Sequence, residues 1–120
     1  MIYLLLVLFE IKHFVCDYPL QTSFMLKKAQ KNGWALPLAL HCAVHGSFAF
    51  LISIFFTTVN VALLIFILDF VIHFAMDRVK ASPNMLGKYH ISEAKFWSAL
   101  GFDQAVHHLT NFLLIWIILE

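Results

Sequence analysis

The sequence predicts an all-α fold, an integral membrane four-helix bundle formed by a single domain over residues 1–120. Of the 120 residues, 62% are hydrophobic and only 12% are charged. The mean hydropathy of +0.84 is typical of membrane proteins rather than of soluble domains. Four long apolar stretches follow one another, separated by short polar connections. Each stretch is therefore expected to form one helix of the bundle.

The predicted spans cover residues 2–18, 34–56, 59–80 and 96–119. The first is short, because a helix needs about 20 residues to cross hydrocarbon, and Pro19 ends it. It lacks the basic start and the small-residue cleavage site of a signal peptide, so we expect it to be retained. The second span follows a basic connection, and an uncharged connection separates it from the third. The fourth span follows a second basic connection.

The basic residues of these connections predict the orientation in the membrane. The first connection contains Lys27, Lys28 and Lys31, and the third contains Lys88 and Lys95. Both connections lie on the same side of a four-helix protein, so the positive-inside rule places them in the cytoplasm and both termini outside. The net charge of +1, with neutral histidines, provides no basic surface for nucleic acid. We therefore expect a multi-pass protein of the plasma membrane whose surroundings are the lipid bilayer.

Ionisable side chains recur at four-residue intervals within the apolar stretches. Residues four apart share one face of a helix, so each group presents its side chains in one direction. One member of each group lies about 8–11 Å from the predicted cytoplasmic boundary, at ~1.5 Å per residue, which places all four groups at a similar depth. The nine residues are His13, Asp17, His41, His45, Asp69, His73, Asp77, Asp103 and His107.

Three explanations compete for this polar layer, which is costly in hydrocarbon unless each group has a partner. Histidine nitrogens and aspartate oxygens suit Zn best, and also Mn or Fe, so the nine residues are candidate ligands of one or two divalent transition-metal ions. Metal-activated water then predicts a hydrolase of a membrane-associated or small phosphorylated or acylated molecule. A transporter of divalent metal or protons is the second explanation. Hydrogen bonding between helices in a non-catalytic membrane interaction protein is the third.

Further polar residues near this layer are candidates for catalysis and substrate binding. Glu10 lies on the His13 face and is a candidate general base, and Lys80 is placed to stabilise a phosphate or an oxyanion. Gln21 and Gln104 are candidates for substrate binding. Lys12 is expected to point away from the layer and to snorkel or form an ion pair. Because four short helices leave little room for an internal cavity, a homodimer is also consistent with the sequence.

The order of these motifs resembles that of a known family. An HxxxD motif at His13, HxxxH at His41, HxxxD at His73 and DQxxH at Asp103 follow one another along the chain. This order resembles an uncharacterised family of small bacterial and phage polytopic membrane proteins, classified as a domain of unknown function. The resemblance covers almost the whole chain and implies a location in a bacterial inner membrane. The motifs are also loosely similar to those of predicted inner-membrane metal-dependent hydrolases.

Overall fold

The computed structural model describes residues 1–120 and contains four long helices and no strand. They are α1 (Ile2–Asp17), α2 (Ala35–Ser53), α3 (Val59–Ala81) and α4 (Ala94–Leu119). The connections between α1 and α2 and between α3 and α4 contain short 3₁₀ helices, Met25–Ala29 and Leu86–Lys88. The prediction of four helices is confirmed. The largest difference in bounds is at the end of α2, which stops at Ser53 rather than at residue 56.

Proline and a capping threonine explain several helix ends. Pro37 lies in the first turn of α2, where the backbone needs no amide donor. At the start of α3, the side-chain oxygen of Thr58 accepts a hydrogen bond from the amide of Val61. At its end, Ser82 is extended because Pro83 follows it. These signals place the connections where the hydrophobic pattern breaks.

Three of the helices, α2, α3 and α4, are long and apolar enough to cross a membrane. Helix α1 has 16 residues, which corresponds to about 24 Å at ~1.5 Å per residue and is less than the ~30 Å of a hydrocarbon core. Large hydrophobic side chains such as Tyr3, Phe55 and Trp116 are exposed on the outside of the bundle. An outward apolar surface of this kind is expected of a protein surrounded by lipid.

The interior of the bundle is divided into an apolar half and a polar half. The apolar half is a packed core to which every helix contributes: Leu5, Phe9, Ala49, Ile65, Leu114, Ile115 and Ile118. The polar residues begin one helical turn beyond this core, where His13 follows Phe9 and Asp69 follows Ile65 at a spacing of four residues. The polar half therefore lies at the end of the bundle that carries the two basic connections.

Candidate metal centre

Eight of the nine residues that recur at four-residue intervals are buried, and the ninth, Asp17, is partly exposed. Their rings and carboxylates converge from all four helices. The His73 ring stacks between those of His45, at a centroid distance of 4.1 Å, and His107, at 4.2 Å. The His13 ring lies 5.2 Å from the His107 ring. The structure thus brings the predicted layer together as one cluster, here called the His/Asp cluster.

The Asp17 carboxylate is the centre of one part of the cluster. Its Oδ1 lies 2.9 Å from Nε2 of His45 and 3.4 Å from Nε2 of His41. Its other oxygen, Oδ2, lies 3.0 Å from Nε2 of His13. Helices α1 and α2 therefore supply three imidazoles and one carboxylate around a single point.

Asp77 and Asp103 form the second part, on α3 and α4. Nε2 of His107 lies 3.0 Å from Oδ1 of each carboxylate. Oδ2 of Asp77 lies 3.2 Å from Nε2 of His41. Because His41 also approaches Asp17, it lies between the two parts of the cluster and joins them.

The ring nitrogens of the cluster are incompletely paired for buried polar groups. Both nitrogens of His13 and of His41, and Nε2 of His73, are buried and have no hydrogen-bond partner. Nε2 of His13 and Nε2 of His41 lie 3.0–3.4 Å from carboxylate oxygens, but not at the angles of a hydrogen bond. Two ligands of one metal ion are about 3.0–3.4 Å apart and do not point at each other, given metal–ligand bonds of ~2.0–2.2 Å. For His13 and His41 this geometry is therefore closer to shared coordination than to hydrogen bonding, whereas His45 and His107 are hydrogen-bonded to aspartates.

Three groups within the cluster have the composition and proximity of metal sites. In each, one ligand atom per residue lies within 4.8 Å of the others. The groups are His13 with His45 and His73; Asp17 with His41 and His45; and Asp77 with Asp103 and His107. Since His45 belongs to two groups, the three cannot all be filled independently, and the set provides for at most two well-ligated ions.

Asp69 differs from the other predicted ligands, because it belongs to none of the three groups. Its Oδ2 accepts from Nζ of Lys12 at 2.6 Å, and its Oδ1 lies 3.0 Å from Nδ1 of His73. The backbone oxygen of Asp69 lies 3.1 Å from the same nitrogen. With Nδ1 held in this way, Nε2 of His73 faces the cluster. Through this contact Asp69 is placed to orient the His73 ring.

Three lysines contact the aspartates of the cluster. Lys12 contacts Asp69, Lys28 lies 3.1 Å from Oδ2 of Asp77, and Lys80 lies 3.0 Å from Oδ2 of Asp103. The expectation that Lys12 points away from the layer is wrong, because its side chain is buried and points inward. Of the two alternatives, snorkelling and ion pairing, the structure shows the ion pair. The pattern missed Lys28, which it treated only as a basic loop residue. A signal was available in the sequence, because buried carboxylates need cationic partners and Lys28 lies in a connection next to the predicted layer.

The other predicted site residues lie at the edges of the cluster. Glu10 accepts from Asn111 at 3.2 Å and lies 3.1 Å from Nδ1 of His108, at a partly exposed position. The side chain of Gln21 donates to the backbone oxygen of Asp17 at 2.8 Å, which closes the end of α1. That of Gln104 donates to Oδ2 of Asp103 at 3.0 Å. Thus Lys80 and Gln104 contact a candidate ligand side chain, whereas Glu10 and Gln21 do not.

Comparison with known proteins gives one match. The family model described as "Protein of unknown function (DUF3307)" matches residues 4–120. No curated protein and no solved structure matches the chain significantly. Because the match extends over nearly the whole sequence, the chain belongs to the family described as protein of unknown function DUF3307.

Proposed function

We propose that the chain is a membrane-embedded, metal-dependent hydrolase that opens to the cytoplasmic leaflet. The observation that carries the proposal is the convergence of unpaired, buried imidazole nitrogens on the Asp17 and Asp77 carboxylates at 3.0–3.4 Å. Hydrogen bonding between helices accounts for His45 and His107, whose Nε2 atoms bond to Asp17 and Asp77. It leaves both nitrogens of His13 and of His41 unsatisfied, so it explains the whole cluster less well. A divalent ion accounts for both the nitrogens and the carboxylates.

The ligands divide into two sets, each suited to one ion. The first ion would be held by ligands from two overlapping groups, Asp17 with His41 and His45, and His13 with His45 and His73. The second would be held by Asp77, Asp103 and His107, with His41 between the two sites. A set of nitrogen and oxygen ligands without cysteine suits Zn, and also Mn or Fe. The two cysteines, Cys16 and Cys42, are buried but belong to none of the candidate groups.

An ion held by such a set would supply hydroxide at neutral pH and would polarise a phosphoryl or carbonyl oxygen. The chain contributes the orientation of His73 through Asp69, and an ammonium group, Lys80, beside Asp103. The candidate ligands and Lys80 are compatible with phosphorylated and with acylated substrates, whether these are membrane-associated or small.

The apolar half of the bundle favours hydrolysis over transport. Leu5, Phe9, Ile65 and Leu114 are fully buried and fill the interior beyond the cluster. An ion pathway would need polar groups on that side. Hydrolysis requires access from one side only, and we assign this side to the cytoplasm because both basic connections lie there.

The proposal is tested by elemental mass spectrometry of protein purified in detergent without chelators. We expect about one or two transition-metal ions per folded chain, and loss of at least one in Asp77→Asn and in His41→Ala. Matched controls are Glu93→Gln and His90→Ala, since both residues are exposed in the loop before α4 and should keep the metal. Metal-dependent cleavage of para-nitrophenyl phosphate or acetate should be lost in the same ligand variants. A folded wild-type protein that binds no metal would refute the proposal.

A further inference from the structure

An apolar cavity lies beside the His/Asp cluster, between α3, α4 and the 3₁₀ helix Leu86–Lys88. Its volume is about 300 Å³. One charged side chain, Lys80, lines it together with five hydrophobic residues: Leu86, Tyr89, Phe96, Ala99 and Leu100. The cavity is therefore suited to a hydrocarbon group that ends near an ammonium.

Lys80 connects this cavity to the cluster. Its Nζ donates to Oδ2 of Asp103 at 3.0 Å, and Oδ1 of the same carboxylate lies 3.0 Å from Nε2 of His107. The lysine side chain is 31% exposed, whereas Asp103 is fully buried. A ligand in the cavity would thus meet Lys80 first and the candidate metal ligands directly behind it.

The charges of the cluster indicate what that ligand must carry. Four aspartates face three lysines, which leaves one net negative charge when the histidines are neutral. One divalent ion would change this to one net positive charge, and two ions to three. A buried excess of positive charge is costly and favours an anion as the third component. An ion bound to Asp103 would also release Lys80 from its present partner.

We propose that the substrate is a phosphate monoester of a hydrocarbon chain, with the phosphate at Lys80 and the chain in the cavity. This inference rests on the proposed hydrolase function and selects one substrate class within it. A phosphate monoester carries about −1.5 to −2 charges at neutral pH, whereas an uncharged acyl ester carries none. In the reaction, the oxygen of water bonds to phosphorus, the ester P–O bond breaks and the leaving oxygen takes a proton. The products are an alcohol and inorganic phosphate.

The test compares kcat/KM for dodecyl phosphate and for methyl phosphate in metal-loaded protein. We expect the wild type to favour the dodecyl ester, because burying even part of the chain contributes ~0.8 kcal/mol per CH₂. Leu100→Trp, which fills the cavity, should lower this preference about tenfold or more. Leu86→Trp, at a half-buried position of the 3₁₀ helix Leu86–Lys88, should do the same. Because this residue lies outside α4, agreement between the two variants would show that the effect of Leu100→Trp is not caused by misfolding of that helix. Lys80→Met should lower kcat/KM for both phosphates, by roughly 10–150-fold if a charged hydrogen bond is lost.

The matched control is Ala75→Phe, which adds similar bulk to another groove between α3 and α4. That groove is about 350 Å³, wholly apolar and does not include Lys80. We expect it to leave the chain-length preference unchanged. Equal rates for the two phosphates, or an effect of Ala75→Phe as large as that of Leu100→Trp, would overturn the cavity assignment. Turnover of para-nitrophenyl laurate but of no phosphate would overturn the substrate class and leave the hydrolase proposal intact. Absence of metal would overturn both.

Discussion

The buried pair of Lys12 and Asp69 allows a quantitative test of how the cluster is held together. The two side chains are 1% and 0% exposed, and their charged atoms are 2.6 Å apart. Lys12→Met keeps the length of the side chain but leaves the Asp69 carboxylate without its cation. Removing one partner of a buried ion pair costs about 3–5 kcal/mol, because the remaining charge stays desolvated. Asp69→Asn should cost a similar amount by stranding the ammonium.

The Lys12→Met/Asp69→Asn double variant should lose less than the sum of the two single losses. We expect the difference to reach about 2 kcal/mol, since neither charge is then left unpaired. The free energy of unfolding is measured in mixed micelles with a chelator present, so that metal binding does not contribute. Lys31→Met, at an exposed loop position, is the control and should change stability by less than about 0.5 kcal/mol. Additive losses in the double variant would refute the direct coupling of Lys12 to Asp69.

Three further predictions follow from the packing, the charge pattern and the apolar core. Gly46→Ala should destabilise the bundle by about 1–3 kcal/mol, because the added Cβ would lie 3.0 Å from the Phe66 side chain. Gly101→Ala is the control, since its Cβ meets nothing within 4 Å, and it should be neutral or stabilising by up to ~1 kcal/mol in the same unfolding assay. In a protein with Cys16 and Cys42 replaced, an impermeant thiol reagent added outside should modify a cysteine introduced at Thr58 and spare one introduced at Lys31. The opposite labelling pattern would show that the proposed orientation is wrong. Sealed proteoliposomes should take up Zn no faster than empty vesicles, and metal uptake dependent on His41 would favour a transporter.

Local periodicity accounts for the part of the site that the sequence predicts. Residues four apart must share a helix face, so the pairing of His13 with Asp17 and of Asp103 with His107 follows from the helix itself. Their convergence also follows, because polar faces in an apolar bundle turn towards one another. The structure agrees with both steps.

The contacts between helices could not be predicted in this way. Lys12 and Asp69 are 57 positions apart, and Lys28 and Asp77 are 49 apart, so no local spacing relates them. Which lysine reaches which carboxylate depends on the rotation of each helix and on the fold of the first connection. Glu10 shows the same limit, because its partners His108 and Asn111 lie on the far end of the chain. The helical period places Glu10 near the His13 face without indicating that α4 would hold it at the edge of the cluster.

The lysines also predict the order in which metal ions bind. Asp69, Asp77 and Asp103 each contact a lysine, whereas the partners of Asp17 within ion-pair distance are all imidazoles. The first ion should therefore bind at Asp17, where it displaces no ammonium, and the second at Asp77 and Asp103, where it competes with Lys28 and Lys80. Titration with Co²⁺, followed by absorption spectroscopy, should show two steps. Lys28→Met should strengthen the second step by roughly tenfold, equivalent to about 1.4 kcal/mol, and leave the first unchanged. Weakening of both steps by this substitution would mean that Lys28 supports the cluster rather than competing with a metal for it.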